Sequence, residues 1–220
     1  MTSRQKRVGE ASRAATRQRL VDAAAHEFRE GGYTGTTITA LARRGGVSIQ
    51  TLYLAVGGKP ALLRAVLEQA LAPPDATEES VPSASATEGY RQQLRSHAAE
   101  AHRDSDDSRA RLRAIVHVYR LLAERAAPWW RLYRDAAATE PEIAADWAEL
   151  HRLRRGTLAA LLEDVPDEAL RTGLGRDAAV DTLWAVASPE TYHLLVERLQ
   201  YTIDQYEDWL TETLTAALLA

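Results

Sequence analysis

The stretch at residues 38–53, ITALARRGGVSIQTLY, constrains the fold more than any other part of the chain. Two short patterns with helical apolar spacing meet there at the pair Gly45-Gly46. The second pattern begins at Ser48, a residue type that commonly caps helix N-termini, and carries Leu52 inward. A polar, hydroxyl-rich helix start therefore lies between two apolar faces.

The remainder of the chain also predicts helices. Apolar residues recur with helical spacing almost everywhere, and no sustained period-two alternation of β-branched residues is present. The expected fold class is all-α. We expect helices at residues 13–30, 37–45, from 48 to a glycine break at 57–58, and at 59–71, 88–103, 107–126, 128–138, 141–164, 168–173, 177–199 with an interruption near 188–189, and 203–219.

Charge divides the chain into two unlike parts. Residues 1–71 hold 11 Lys and Arg against 5 Asp and Glu, a net charge of +6, whereas the remainder holds 16 against 26, a net charge of −10. A basic N-terminal part joined to an acidic remainder is typical of a protein whose first part meets a phosphate backbone. A charge run is also commonly just a solvated face, so charge alone leaves both interpretations open.

Composition excludes several classes of protein. The absence of cysteine excludes disulfides, thiolate metal sites and a cysteine nucleophile. No apolar run approaches the roughly 18 residues of a membrane span, and no secretion signal is recognisable at the N-terminus, so we expect a cytoplasmic protein.

One segment separates two predicted units. Residues 72–88, APPDATEESVPSASATE, are rich in Pro, Ser, Ala and acidic residues and lack an apolar period, which predicts a linker or mobile loop. We therefore predict an N-terminal domain at residues 1–71 and a larger helical domain at residues 89–220.

The N-terminal pattern predicts a helix-turn-helix, in which the second helix enters the DNA major groove. Glutamine pairs with adenine, hydroxyl groups bond base edges or phosphates, and an exposed apolar side chain packs against the thymine methyl. The alternative is that Ser48 caps a short connecting helix with an ordinary surface, and spacing alone favours neither. The face available for DNA consists of Ser48, Ile49, Gln50, Thr51 and Tyr53.

The stretch at residues 14–67 resembles the DNA-binding domain of TetR-type (tetracycline-repressor-like) transcription regulators. The match consists of an alanine-rich first helix ending in AHEFREGGYTGTT, the core LARRGGVSIQTLY, and Lys59 followed by the pair Leu62-Leu63. It covers about a quarter of the chain and is specific, because these separated features occur in order at the right distances. The resemblance implies a helix-turn-helix domain followed by a larger helical ligand-binding and dimerisation domain.

The resemblance also implies roles for individual residues. It assigns phosphate contacts to Thr37, Tyr53 and Lys59, a base or sugar contact to Thr39, and base contacts to Ser48, Ile49, Gln50 and Thr51. The chain departs from the family where many members have His then Phe, because Ala55 and Val56 stand there. Without the His, contacts with the DNA backbone are expected to depend more on Lys59, Arg43, Arg44 and a basic arm at Arg4, Lys6 and Arg7. The alternative is that this arm is disordered and makes no contact with DNA.

A homodimer is the expected assembly, since one such module covers one half-site and two must be held about 34–36 Å apart. In relatives the last two long helices form the interface, and both carry apolar stripes here. The alternative is that the stripes pack within one subunit. The predicted interface residues are Leu183, Leu194, Tyr206, Leu210, Leu214 and Leu218.

The middle helices hold most of the aromatic side chains, which predicts a small-molecule pocket walled by large rings with a few polar tips. Each of these residues is alternatively ordinary core. An apolar or aromatic ligand is the preferred class, because aromatic residues outnumber candidate charged clamps. The predicted ligand residues are His97, His117, Tyr119, Trp130, Tyr133, Trp147, His151 and Trp184.

Catalysis has no visible residues to carry it. The chain lacks the G-x-S-x-G, H-E-x-x-H, G-x-x-x-x-G-K-[ST] and G-x-G-x-x-G motifs, and only Glu190 and His193 have the Glu-x-x-His spacing of a di-iron bundle. We therefore expect neither an enzyme nor a cofactor or metal. The predicted function is a ligand-responsive transcriptional regulator, a repressor released from a palindromic operator by a small molecule; the alternative is an architectural DNA-binding protein or a regulator without a ligand.

Overall fold

The computed structural model describes residues 3–72 and 107–220, with only the backbone described for residues 3–8. These residues are almost entirely helical, and among them the only β-type pairing is an isolated bridge between Leu170 and Leu219, so the all-α prediction is confirmed. The helices are α1 (Ser3–Gly35), α2 (Ile38–Arg44), α3 (Ile49–Val56), α4 (Lys59–Leu71), α5 (Ser108–Ala137), α6 (Pro141–Leu162), α7 (Arg176–Val186), α8 (Pro189–Tyr192, continued by a π-helix at His193–Arg198) and α9 (Ile203–Leu218).

The predicted linker at 72–88 and the predicted helix at 88–103 lie outside the described residues, apart from Ala72 at the end of α4. The weak helix predicted at 168–173 is instead a 3-10 turn at Asp167–Ala169. None of the described helices is both long enough and apolar enough to cross a membrane.

Helices α2 and α3 form the predicted helix-turn-helix around Gly45 and Gly46. A Cβ at Gly45 would lie 2.7 Å from Cδ2 of Leu20 on α1, and Gly46 has a φ of +67°. The first glycine permits close packing of α1 on the turn, and the second adopts the left-handed conformation that other residues avoid. The turn therefore depends on both glycines.

Helix α5 runs unbroken through Pro128, where the sequence predicted two helices separated near residue 127. A proline inside a helix removes one backbone hydrogen bond and costs about 3 kcal/mol. The side chains next to it are almost fully covered, with Trp129 5% and Trp130 6% exposed. Burial of these large rings offsets the cost of the proline, because each buried aromatic side chain contributes several kcal/mol.

The interruption predicted near residues 188–189 is present, since α7 ends at Val186 and α8 begins at Pro189. Ser188 caps α8 by accepting a hydrogen bond of 3.0 Å from the backbone N–H of Thr191. Helix α9 begins with a complete capping box formed by Thr202 and Gln205. These local signals fix where the final helices start.

The stripe of α9 faces the interior of its own chain. Its side chains pack in one apolar cluster with side chains of α5, α6 and α7. The interface prediction is wrong for five of its six residues, because a side chain without exposed surface adds no contact area for a second chain; Leu183, Tyr206, Leu210, Leu214 and Leu218 are each 0% exposed. Only Leu194, 57% exposed, remains available to a partner.

A second apolar cluster joins the N-terminal helices to the middle of the chain. It contains side chains of α1 to α4 together with Trp129, Trp130 and Tyr133 of α5 and Ile143 of α6. Helix α4 therefore packs both on the helix-turn-helix and on the helices that carry the predicted ligand residues.

Candidate functional site

Helix α3 presents a polar surface on the outside of the molecule. Ser48, Gln50 and Thr51 are exposed, and Ile49 and Tyr53 are 43% and 51% exposed. Leu52 and Val56, on the opposite face, are buried in the N-terminal core. The five side chains predicted to meet DNA thus share the outer face or its edges, while the apolar residues between them hold the helix in place.

The side chains at the start of α3 differ in whether they form hydrogen bonds within the chain. Ser48 Oγ accepts from the backbone N–H of Thr51 at 3.0 Å and lies 2.8 Å from Thr51 Oγ1, so these two hydroxyl groups also cap the helix. Gln50 forms no hydrogen bond within the described part of the chain. Its amide is the group on this face that is most available to a base edge.

Thr37 and Thr39 are exposed at the start of α2. Thr37 is the N-cap of α2, and its Oγ1 accepts from the backbone N–H of Ala40 at 3.2 Å. Of the two arginines at the other end, Arg43 is exposed, whereas Arg44 forms an ion pair with Glu27 of α1. This pair lowers the pKa of the Glu27 carboxyl chiefly through the hydrogen bond from Arg44. Of the two side chains, Arg43 is therefore the one not held in the described ion pair.

Lys59 begins α4, three residues after the end of α3. Its Nζ lies 4.0 Å from the ring centroid of Tyr33, a cation–π contact that holds the side chain against α1. Partial burial lowers the pKa of Lys59, and Glu140 opposes this shift. Burial also raises the pKa of Tyr33 to about 12, so the ring stays neutral beneath the ammonium group. Lys59 is thus a positioned cation rather than a freely moving one.

Five of the predicted ligand residues form a continuous set of rings between α5, α6 and α7. Centroid distances are 4.5 Å between Trp130 and Trp147, 6.1 Å between Tyr133 and Trp147, and 4.5 Å between Trp147 and His151. His151 in turn lies 5.5 Å from Trp184. Burial lowers the pKa of His151, which favours its neutral form. The structure brings these five rings together, and of the five only Trp130 belongs to the described lining of the cavity.

An apolar cavity lies beside these rings, between α4, α5 and α6. The volume of this cavity is about 70 Å³, enough for several water molecules or a slender organic group. Tyr119 and Trp130 are the predicted ligand residues among its described lining. The other described lining residues are Arg64, Leu67, Glu68, Leu71, Leu122, Ala123, Ala126, Leu150, Leu153, Arg154, Thr157 and Pro189.

The two other histidines predicted to bind the ligand are His117 and His97. The side chain of His117 is 50% exposed, and its Nδ1 lies 2.8 Å from Glu207 Oε1 of α9, so this residue forms a hydrogen bond at the surface and is not part of the described lining of this cavity. His97 lies outside the described residues.

Helix α4 forms one wall of the cavity through Arg64, Leu67, Glu68 and Leu71. Arg64 also ties α4 to the second half of the chain, because its Nη1 donates to Asp146 Oδ1 of α6 at 2.6 Å. The hydroxyl of Tyr133 on α5 donates to the other oxygen of Asp146 at 2.9 Å. One carboxylate thus connects three helices at the edge of the cavity.

Sequence reasoning missed most of the cavity lining and one exposed side chain of α3, Leu54, which is 82% exposed. Arg154 had a recognisable signal, because it falls four residues after Leu150 and four before Leu158, on the apolar stripe of α6. A charged residue on a buried stripe is uncommon and commonly has a partner or a function. The residues of α4 had no such signal, since their core spacing suffices to explain them.

Comparison with known proteins supports this arrangement. Residues 20–66 match the family described as bacterial regulatory proteins, tetR family. Residues 20–66 are a TetR-family domain. For these residues the family predicted from the sequence is therefore confirmed. No curated protein matches the chain.

Solved TetR-type structures share the fold along nearly the whole chain. A TetR-family regulator from Mesorhizobium loti is 18% identical, with 94% of this chain and 98% of that one covered and a TM-score of 0.66. FadR of Bacillus subtilis, in complex with stearoyl-CoA, is 17% identical, with 90% and 96% covered and a TM-score of 0.64. NalD of Pseudomonas aeruginosa, a secondary repressor of an efflux pump, is 18% identical, with 94% and 98% covered and a TM-score of 0.65. At these identities the likeness shows the fold alone.

Proposed function

We propose that this TetR-family chain is a ligand-responsive transcriptional repressor that binds a palindromic operator as a homodimer and is released by a small molecule. The observation that carries the proposal is the position of α4. This helix begins at Lys59 beside α3, the proposed DNA-reading helix, and supplies one wall of the apolar cavity. A single helix of 13 residues therefore connects the two surfaces.

The DNA side of the proposal rests on the exposed face of α3. A free amide at Gln50, flanking hydroxyl groups and an exposed Ile49 are the groups that read base edges and thymine methyls in the major groove. Thr37, Tyr53 and Lys59 surround this face and would contact phosphates, which orient the reading helix without reading sequence.

The ligand side rests on the cavity and on the contacts that hold α4. A molecule that enlarges the cavity displaces α4 relative to α5 and α6, because Leu67 and Leu71 form its wall. This displacement changes the separation of two reading helices in a dimer. A ligand shifts the equilibrium by the difference between its affinities for the two states, typically about 1–3 kcal/mol of coupling. FadR of Bacillus subtilis, bound to stearoyl-CoA, and the repressor NalD support a ligand-controlled repressor by analogy.

The dimer surface is proposed to involve the outer faces of the last helices. Leu194 and Leu199, on and just after the π-helical part of α8, are 57% and 64% exposed. Burial of these two side chains between two chains would remove their apolar surface from water. They replace the buried stripe of α9 as the proposed contact.

Replacing Lys59 by alanine is expected to weaken binding to all duplex DNA and to lower the salt slope of log K by roughly 1, since one phosphate contact is lost. Fluorescence anisotropy titrations at several salt concentrations measure both effects. Lys59→Arg is the control, because it keeps the charge and the contact with Tyr33. An unchanged salt slope in Lys59→Ala would remove this residue from the DNA surface.

Filling the cavity by mutation tests the proposed coupling without a known ligand. Ala126 lines the cavity and is 4% exposed, so Ala126→Leu places three additional carbons inside it. We expect a folded protein whose operator affinity falls about 5- to 150-fold, the usual range of allosteric coupling. Anisotropy with operator DNA measures the loss.

Leu67→Ala is the matched variant, because it enlarges the same cavity from the α4 side. It is expected to leave the reading helices in place, although lost packing costs about 2–5 kcal/mol of stability. If Ala126→Leu is folded by circular dichroism and binds operator like the wild type, the cavity is not coupled to DNA and a regulator without a ligand is the better description.

A further inference from the structure

The cavity contains a charged side chain that the proposed function leaves unexplained. Arg154 of α6 is only 9% exposed and belongs to the described lining. Its Nη2 donates to the backbone carbonyls of Trp184 and Ala187, which lie at the end of α7. Its guanidinium also lies 5.1 Å from the ring of Trp184. Arg154 is therefore fixed in position by the end of one helix and one aromatic ring.

These contacts leave the positive charge without an acidic partner. Within the described residues no carboxylate forms an ion pair with Arg154, and its Nε is buried without any hydrogen-bond acceptor. The other two charged residues of the lining differ, because Arg64 is paired with both Glu68 and Asp146. A buried guanidinium with unused donors is costly unless an anion joins it.

A helix-capping role explains only part of this arrangement. Cationic side chains stabilise the last carbonyls of a helix, and Nη2 of Arg154 acts on α7 in this way. Capping through Nη2 alone does not account for the presence of the guanidinium in the lining of a largely apolar cavity, and the described hydrogen bonds of Arg154 all use Nη2. A neutral glutamine or a surface lysine would cap the same carbonyls at a lower desolvation cost.

We propose that the cavity binds an amphipathic monocarboxylate, with its carboxylate on Arg154 and its apolar body against Tyr119, Leu122, Ala126 and Trp130. The inference rests on the proposed function and names the ligand class of the same cavity. It departs from the sequence-based preference for an apolar or aromatic ligand, because a fixed cation without an acidic partner selects an anion. The small volume favours a slender apolar body.

The test compares three probes with the same eight-carbon chain: octanoate, octan-1-ol and octylammonium. Isothermal titration of the full-length protein at pH 7.5, without DNA, measures each affinity, since a carboxylic acid that titrates at about pH 4 to 5 is ionised there. We expect octanoate to bind at least about 10-fold more tightly than octan-1-ol, and octylammonium to bind most weakly. Undetectable octanoate binding, or equal affinity for octanoate and the alcohol, would overturn the proposal.

Two variants test whether Arg154 causes the preference for octanoate over octan-1-ol. Arg154→Gln keeps an amide donor near the α7 carbonyls and is expected to bind octan-1-ol like the wild type while losing the preference for octanoate. Arg154→Lys keeps the charge and is expected to retain part of the preference. A folded Arg154→Gln that still prefers octanoate 10-fold would contradict the assignment, and the three wild-type titrations decide the ligand class if that variant does not fold.

Operator release is measured separately by adding octanoate to the DNA complex. Arg154-dependent binding without release sustains the ligand class and rejects the proposed regulation. Release by neutral ligands, with no preference for octanoate, sustains the regulation and rejects the ligand class.

Discussion

Leu210→Arg is expected to destabilise the C-terminal helices rather than to separate two folded subunits. Leu210 is 0% exposed and packs inside its own chain among side chains of α5, α6 and α7. An arginine there would place its charge among the apolar side chains of this cluster, and an unpaired buried charge typically costs about 4 kcal/mol or more. In a domain of this size such a loss lowers the Tm by roughly 8–16 °C.

Asp208→Arg is the matched control, because Asp208 lies on the exposed side of the same helix. It introduces the same side chain and is expected to leave the Tm within a few degrees of the wild type. Thermal unfolding followed by circular dichroism measures both variants. A Leu210→Arg protein that is fully folded, melts like the wild type and elutes as a monomer would return the α9 stripe to the dimer interface.

Gln50→Ala is expected to weaken binding to the operator by about 1–3 kcal/mol, or roughly 5- to 150-fold, while binding to unrelated duplex DNA stays nearly constant. The amide of Gln50 is exposed on α3 and is not used by the helix cap, unlike the hydroxyls of Ser48 and Thr51. Its loss therefore removes base recognition without disturbing the helix. Anisotropy titrations with operator and with a scrambled duplex measure the two affinities.

Gln69→Ala serves as its control, since Gln69 is an exposed glutamine near the other end of α4, in contact with Gln18 and Asp22. It is expected to bind both duplexes like the wild type. Equal losses on operator and scrambled DNA in Gln50→Ala would mean that this side chain contributes affinity but not sequence recognition.

The local features of the fold were predictable because short-range chemistry determines them. Ser48 is an N-cap as its position indicated, and it accepts the expected hydrogen bond from the backbone N–H of Thr51. The exposed face of α3 was also predictable from the sequence, since Leu52 and Val56 form the buried face. Pro128 was misjudged because tertiary packing of the neighbouring tryptophans overrides a local penalty.

Whether an apolar stripe faces its own chain or a second chain was not predictable from apolar spacing, because the two kinds of stripe have the same period. Tyr206 and Leu214 illustrate this ambiguity, since only the tertiary packing shows them to be fully covered by their own chain. His117 was misplaced for a related reason. Its neighbours in sequence are apolar, but its side chain points to Glu207 at the surface.

The cavity was predicted in kind but not in detail. The aromatic residues of α5 and α6 marked its neighbourhood, and Tyr119 and Trp130 do line it. The wall formed by α4 depends on a contact between residues far apart in the chain, such as Arg64 and Asp146, which no local pattern records. That contact is what joins the proposed DNA-reading surface to the cavity.

Selection of bound fragments from a random pool of duplex DNA tests the central claim most directly. If two copies of α3 read successive major grooves, the recovered fragments contain an inverted repeat whose half-sites are centred about 10 base pairs, or a multiple of one helical turn, apart. The Gln50→Ala protein then recovers a pool with weaker preference at specific positions of each half-site. A recovered pool indistinguishable from the starting pool, or one enriched in a single asymmetric site, would contradict the assignment of α3 as a paired reading helix.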